Sequence, residues 1–361
     1  MDFLDGFKKE LAKAGLEEGS SKPPRYWYSS GNYVLNKILS GSFLRAIPQG
    51  RVVCYTGPSG SGKSFLVCNA IREAQKQGAQ IVVLDSENAL DDDFVTKIGV
   101  DVENNYAYVP VDTIPQAQKV ISTFIGGYKK EYGDSEDAPQ VLIVIDSLDM
   151  LMTETEQEHF DKGVTKGDQG QRNKQLKAML RQFVQAVKHY NIAVIVTAQV
   201  YKNQDVLNGE GLWIVSDAIK FSLSMIAMLT KLKLRTGDGP SREVAGIRMK
   251  AEGYKTRFAQ PFQTVTIEVP YESGMDPFNG MLDVAVGMGV VQKKGSWYCL
   301  PGGDNFRGDD FHTVAADVLA KCEAAREKFL DAVLDDEEEE IEKQTPARAK
   351  RAAKAGVGGE E

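Results

Sequence analysis

Paired cysteines, clustered histidines and long apolar runs are all missing from this chain of 361 residues. Cys54, Cys68, Cys299 and Cys322 are scattered without the spacing of a metal site, so they read as buried thiols of a reducing compartment. His159, His189 and His312 form no cluster with cysteine or serine, which argues against zinc and triad chemistry. No apolar run approaches the roughly 20 residues that a membrane span needs. The first residues also lack the basic-then-apolar order of a secretory signal. A cytoplasmic protein with no membrane partner is expected. The net charge of −8 gives no overall attraction for nucleic acid, but half of it sits in residues 335–361, where nine acids face five bases. The overall sign therefore says little about any one groove.

What the chain does have is Gly57-Pro58-Ser59-Gly60-Ser61-Gly62-Lys63-Ser64, which fits G-x-x-x-x-G-K-[ST] at every fixed position. The β-rich run Val52 to Thr56 precedes it, and Phe65, Leu66, Ala70 and Ile71 follow at helical spacing. A strand thus enters a glycine-rich loop that opens a helix. Backbone N–H groups of such a loop wrap a phosphate, aided by the positive end of the helix. Lys63 adds a charge for the β- and γ-phosphates, and the Ser64 hydroxyl is placed to ligate Mg²⁺. A nucleoside triphosphate with Mg²⁺ is the expected ligand.

Along the chain, Phe3, Leu4, Phe7 and Leu11 repeat at helical spacing, and the Gly/Ser/Pro stretch 19–24 follows as a linker. From about 30 to 270, apolar runs at 51–56, 81–84, 141–145 and 192–196 alternate with helical segments. Continuous rather than alternating hydrophobicity predicts strands buried on both faces of a mainly parallel sheet. Runs 222–234 and 263–269 extend it. The pattern predicts an α/β core over 31–272, preceded by an N-terminal helix and linker (1–30). A small α-rich unit (273–330) and an acidic tail expected to be disordered (331–361) complete the chain.

Three strand ends carry chemistry. Val141 to Ile145 delivers Asp146, suited to hold Mg²⁺ or its waters beside Ser64. Ile81 to Leu84 leads to Asp85-Ser86-Glu87, where Glu87 can polarise an attacking water as general base; alternatively it is a solvated carboxylate near Asp91-Asp92-Asp93. The third strand ends in Thr197-Ala198-Gln199, and a glutamine there can sense the γ-phosphate and pass its state to the next loop.

In this order the segments resemble the RecA-type DNA recombinases, over about residues 30–330, and within that family the UvsX recombinases of T4-like phages. The resemblance rests on Gly57 to Ser64, Asp85 to Asp91, Val141 to Ser147 and Val196 to Gln199. Lys255 to Phe262 also looks like the family's K-x-K-I-A-A-P-F segment. Gly274 to Asp283 and Gly295-Ser296-Trp297-Tyr298 carry the likeness to UvsX. It implies a RecA-like P-loop core binding Mg-ATP through Gly57 to Phe65 and Asp146, with Glu87 activating water and Gln199 coupling ATP to DNA. Lys255 and Arg257 match cations that reach the γ-phosphate from the adjacent subunit, with Arg257 in place of the family's second lysine. Phe94 and Tyr271 fall where family aromatics contact adenine, or else are plain core packing. The loops at about 156–171 and 200–216 would face DNA, offering Lys162, Lys166 and Arg172, then Lys202, Asn203 and the Leu212-Trp213 pair.

The function so implied is an ATP-dependent homologous recombinase and DNA-dependent ATPase. It would coat single-stranded DNA as a helical filament of its own copies, then pair and exchange strands with homologous double-stranded DNA. A recombination mediator and a single-strand-binding protein are further expected partners. The N-terminal helix would pack on the neighbouring protomer, and the tail would either compete with DNA for basic surfaces or serve solubility. A hexameric helicase requires an N-terminal collar for which about 30 residues leave no room. A regulatory ATP-binding protein has no need of Glu87.

Overall fold

The computed structural model describes residues 3–14, 23–164, 170–202, 213–236, 243–303 and 305–326. Helix α1 spans Phe3–Lys13, close to expectation, and leaves Phe3, Leu4 and Phe7 exposed. Strands β1 (Trp27–Tyr28) and β2 (Ile47–Pro48) pair antiparallel and bracket α2 (Tyr33–Ser40). Then β3 (Val52–Thr56) leads into α3 (Lys63–Gln75), β4 (Gln80–Asp85) into α4 (Asp92–Ile98), and β5 (Tyr106–Pro110) into α5 (Ile114–Tyr132). After β6 (Val141–Asp146) come α6 (Glu154–Asp161) and α7 (Gln171–Val187). After β7 (Ile192–Ala198) come the short β8 (Tyr201–Lys202) and β9 (Trp213–Ile214), then α8 (Asp217–Ser222). Strands β10 (Met225–Thr236), β11 (Glu243–Lys255) and β12 (Thr264–Pro270) complete the main sheet. Beyond it lie α9 (Met281–Gly287), β13 (Gln292–Lys294), β14 (Trp297–Cys299), β15 (Asn305–Phe306) and helical residues 315–326.

The main sheet runs β12-β11-β10-β3-β7-β6-β4-β5, parallel from β10 to β5 and antiparallel at the β10-β11-β12 end. Alternate residues of each strand enter two separate apolar cores. Val53, Tyr55, Leu142, Val144 and Ile195 pack under α2, α3 and α4, whereas Cys54, Ile143, Ile145 and Val194 pack under α5, α7 and α8. Burial on both faces explains why these strands read as unbroken apolar runs. Because β3, β4, β6 and β7 are parallel, the segments that follow them all leave one edge of the sheet, where α/β folds bind ligands.

Three departures from the sequence reading have physical causes. Strand β5 is an edge strand with a mostly exposed pattern, so no apolar run announces it. The run expected at 222–234 splits into the end of α8 and then β10, whose antiparallel partner β11 alternates buried Met249 and Ala251 with Lys250 and Glu252. The C-terminal segment, expected to be α-rich, also holds the three-stranded antiparallel sheet β13-β14-β15. Its Met281, Ala285, Val318 and Cys322 join the same apolar core as α2 and α3. No helix among the described residues is long and apolar enough to cross a membrane.

Close backbone approach fixes glycine at Gly253, where a Cβ would lie 2.8 Å from the Ile38 carbonyl oxygen of α2. Gly253→Ala is therefore expected to destabilise the fold by about 1–3 kcal/mol, as overpacking does. Chemical denaturation checks it, and an unchanged midpoint would refute the close packing of α2 on β11.

Candidate nucleotide-binding site

The loop between β3 and α3 holds Gly60 and Gly62 at positive φ, 67° and 97°, a curl that glycine adopts without steric penalty. Lys63 opens α3 and is buried; its Nζ donates to the Gly57 and Pro58 carbonyl oxygens at 3.1 and 3.2 Å. The ammonium thus lies inside the curl of its own loop. Burial lowers its pKa, while the carboxylates of Glu87, Asp146 and Asp149 oppose that shift. The Ser61 hydroxyl is buried in the same curl without a hydrogen-bond partner.

Asp146, at the end of β6, is fully buried. Its Oδ1 accepts a hydrogen bond from Thr197 Oγ1 and its carboxylate lies in hydrogen-bonding reach of Ser64. Oδ2 is buried with no partner. Desolvation raises the Asp146 pKa, opposed by the Thr197 and Ser64 hydrogen bonds. An orphaned carboxylate oxygen beside a P-loop serine fits a divalent cation. Among the described residues no trio of His, Cys, Asp or Glu could hold a metal unaided, so phosphate and water oxygens would complete the shell.

Glu87 lies on the same edge, its Oε1 accepting from Ser147 Oγ at 2.6 Å. Ser86 Oγ donates to the Ser147 carbonyl at 2.6 Å and accepts from the Ser147 N–H at 3.0 Å, tying the ends of β4 and β6 together. Asp85, which the sequence left without a role, organises this turn. Its carboxylate accepts the backbone N–H groups of Glu87, Asn88, Ala89 and Leu90 at 2.9–3.0 Å and the Tyr108 hydroxyl at 3.1 Å. Burial, and then the Asp85 charge, push the Tyr108 phenol up to about 12, so it remains a donor. An Asp at the end of an apolar strand was visible in the sequence; that it is buried and ties four amides was not.

Gln199 follows β7. Its N–H donates to Asp149 Oδ2 at 2.5 Å, and its carbonyl accepts from Thr56 Oγ1, at the entrance to the P-loop, at 3.3 Å. A cavity of 580 Å³ opens beside α3 and α4, lined by Phe65, Asn69, Phe94 and Tyr271 among others. Tyr271 is 67% exposed, which excludes core packing for it. Phe94, by contrast, is partly buried and packs against the apolar core.

The residues expected at DNA are more dispersed. Lys162 ends α6, exposed and bridged to Glu158 at 3.2 Å, a surface pair of little energetic weight. Arg172 is engaged elsewhere: it donates to the carbonyls of Leu148, Asp149 and Leu151 and so braces the segment after β6. Lys202 on β8 pairs in register with Trp213 on β9, which closes the base of the second loop. Lys166, Asn203 and Leu212 lie outside the described residues.

Lys255 and Arg257 sit away from the P-loop. Lys255 pairs with Ile226, which is level with Cys54 in the body of β3, whereas the P-loop leaves beyond Thr56. Antiparallel β11 has thus carried Lys255 toward the opposite edge of the sheet. There its Nζ donates to the Lys220 carbonyl at 2.6 Å, and burial together with Arg257 lowers its pKa. Arg257 lines a 430 Å³ cavity with Arg51, Lys177, Arg181, Lys188 and Phe221.

A strand, a phosphate loop, a helix and a buried carboxylate at the end of the parallel strand β6 define a P-loop nucleotide-binding core. Residues 15–276 match the RecA N-terminal domain, and the chain belongs to the RecA family. It is similar to protein RecA of Aquifex pyrophilus, with 31% identity over 254 residues, covering 70% of this chain and 68% of that protein. Against protein RecA of Thermus aquaticus it is 30% identical over 261 residues, 71% of each chain. Against that of Borreliella burgdorferi it is 29% identical over 300 residues, covering 82% of this chain and 76% of that protein.

Two predictions follow from the carboxylates. Asp85→Asn keeps the shape but gives up one acceptor oxygen, and should cost about 2–4 kcal/mol while displacing Glu87. Denaturation midpoints that match wild type would show the turn to be self-supporting. For Asp146, the raised pKa means the ionised form opposes folding above that pKa, and this cost fades as pH falls through it. The extra melting temperature that Mg²⁺ gives with ATP should be absent in Asp146→Asn, which cannot offer an ionised ligand oxygen. A Mg²⁺ effect that persists in Asp146→Asn would refute the assignment.

Proposed function

We propose that this protein is an ATP-dependent recombinase that assembles head to tail on single-stranded DNA and exchanges strands with homologous double-stranded DNA. One observation carries the reading. The P-loop and the Lys255–Arg257 pair lie toward opposite ends of the parallel strands: the loop leaves beyond Thr56, whereas Lys255 is level with Cys54 with its Nζ on the Lys220 carbonyl, and Arg257 lines a cavity with Arg51. Head-to-tail stacking brings the cationic edge of one copy against the nucleotide edge of the next. The exposed apolar stripe of α1, with Phe3, Leu4 and Phe7, supports a second contact between protomers.

In this reading Lys63, Ser64 and the P-loop amides bind the triphosphate, Ser64 and Asp146 hold Mg²⁺, and Phe94 and Tyr271 flank the adenine. Bound Mg²⁺ would neutralise charge on the phosphate oxygens. Glu87, oriented by Ser147, takes a proton from the attacking water. Lys255 and Arg257 of the adjacent copy stabilise the developing charge, so hydrolysis follows assembly. Gln199, linked through its carbonyl to Thr56, relays the nucleotide state to the loop closed by Lys202 and Trp213. Lys162, Lys166 and Lys202 suit phosphate contact, and Trp213 suits stacking. Arg172 contributes indirectly, by bracing the segment after β6 that precedes the first loop. The Gly274 to Asp283 and Gly295 to Tyr298 segments favour a UvsX-type recombinase of a T4-like phage, acting in the host cytoplasm with a mediator and a single-strand-binding protein.

Single-stranded DNA should stimulate ATP hydrolysis, and Glu87→Gln should lose about 10²–10⁴-fold of the stimulated rate. Lys255→Ala should be similarly inactive. Mixing equal amounts of the two inactive variants should restore about a quarter of the wild-type rate, since random stacking pairs an intact Glu87 with an intact neighbouring Lys255 at one junction in four. No recovery on mixing, with both variants folded and DNA-bound, would sink the composite site.

A further inference from the structure

Three glycines of the P-loop are pressed against one hairpin, β10-β11. A Cβ at Gly57 would run into the Leu229 carbonyl, and one at Gly62 would lie 3.1 Å from Met249 Sδ and 3.6 Å from Ile247 Cδ1. A Cβ at Gly60 would run into the ammonium of Lys231. The strand register ties these contacts together. Lys231 pairs with Met249 and Lys233 with Ile247, so Lys231 shares with Met249 the hairpin face that meets the loop. The hairpin is thus one wall of the phosphate site, and Lys231 is the charged group on that wall.

The geometry points to Lys231 as a second phosphate-binding cation, supplied by the same chain as the P-loop and acting with Lys63. Lys63 approaches from the start of α3 and reaches the Gly57 and Pro58 carbonyls. Lys231 approaches from β10 and lies at Gly60, which is exposed. Among the described residues no carboxylate or carbonyl accepts a hydrogen bond from Lys231. Two ammonium groups and a curl of amide N–H groups repel one another until an anion lies between them. A polyphosphate is the anion that spans both. Lys231 also sits on the strand that continues from β8, β9 and α8, so the same backbone carries the expected DNA loop and this cation.

The inference rests on the P-loop being the nucleotide site, and the test separates the two. Binding of a fluorescent ATP analogue with Mg²⁺ is measured on the full-length chain. Lys231→Ala is expected to bind about tenfold more weakly and Lys231→Arg within about threefold of wild type, because the charge rather than the shape is required. Raising the ionic strength should narrow the gap between wild type and Lys231→Ala. Lys231→Gln, which keeps most of the side chain, should behave as Lys231→Ala; melting temperatures establish that each variant is folded. Lys63→Ala serves as the reference and should lose binding. Loss in Lys63→Ala with wild-type affinity in Lys231→Ala would overturn the role of Lys231 and leave the P-loop reading intact. Lys231→Arg as weak as Lys231→Ala would also overturn it, since packing would then explain the loss. A wild-type chain that binds no ATP analogue would overturn the underlying reading itself.

Discussion

The parallel strands β3, β4, β6 and β7 are buried on both faces, with one apolar core beneath α2, α3 and α4 and another beneath α5, α7 and α8. Every polar group of functional interest depends on that arrangement. Parallel direction makes the P-loop, Glu87, Asp146 and Gln199 emerge at a single edge, although they are spread over more than 140 residues of sequence. Close packing on both faces leaves the strands no freedom to slide, so the relative heights of those ends are set by the hydrogen-bond ladder. The precision of the site is inherited from the sheet.

Around that edge the chain spends short polar side chains on cross-links between strand ends. Ser86 and Ser147 join β4 to β6, Thr197 joins β7 to β6, and Thr56 joins β3 to the carbonyl of Gln199. Each hydroxyl satisfies a backbone or carboxylate group that would otherwise be buried alone. Asp85 does the same for four amides of the turn that presents Glu87. At this edge the buried Asp146 Oδ2 and Ser61 Oγ are left without a partner.

Legibility of the fold followed burial. The unbroken runs at β3, β4, β6 and β7 were readable because both faces are apolar. Strand β5 has an exposed edge pattern, and β13 to β15 are two or three residues long, so neither offers a period to detect. β11 does alternate, with Ile247, Met249 and Ala251 spaced by charged residues, because only one of its faces meets the core. At the candidate site, the P-loop, Glu87 and Asp146 could each be located because each follows directly on an apolar strand run. Arg172 shows the opposite case: a cation near an expected DNA loop proves to be a brace for carbonyls of Leu148, Asp149 and Leu151.

The sequence by itself determined the local patterns: a glycine-rich P-loop between strand and helix, and acidic residues at the ends of apolar strands, each written in a few contiguous residues. Only tertiary structure decided which groups meet. Strand direction sends Lys255 and Arg257 away from their own P-loop while bringing Lys231, 168 positions beyond Lys63, against it. Proximity across a sheet depends on register and strand order, and these are fixed by the packing of the whole chain rather than by any local pattern.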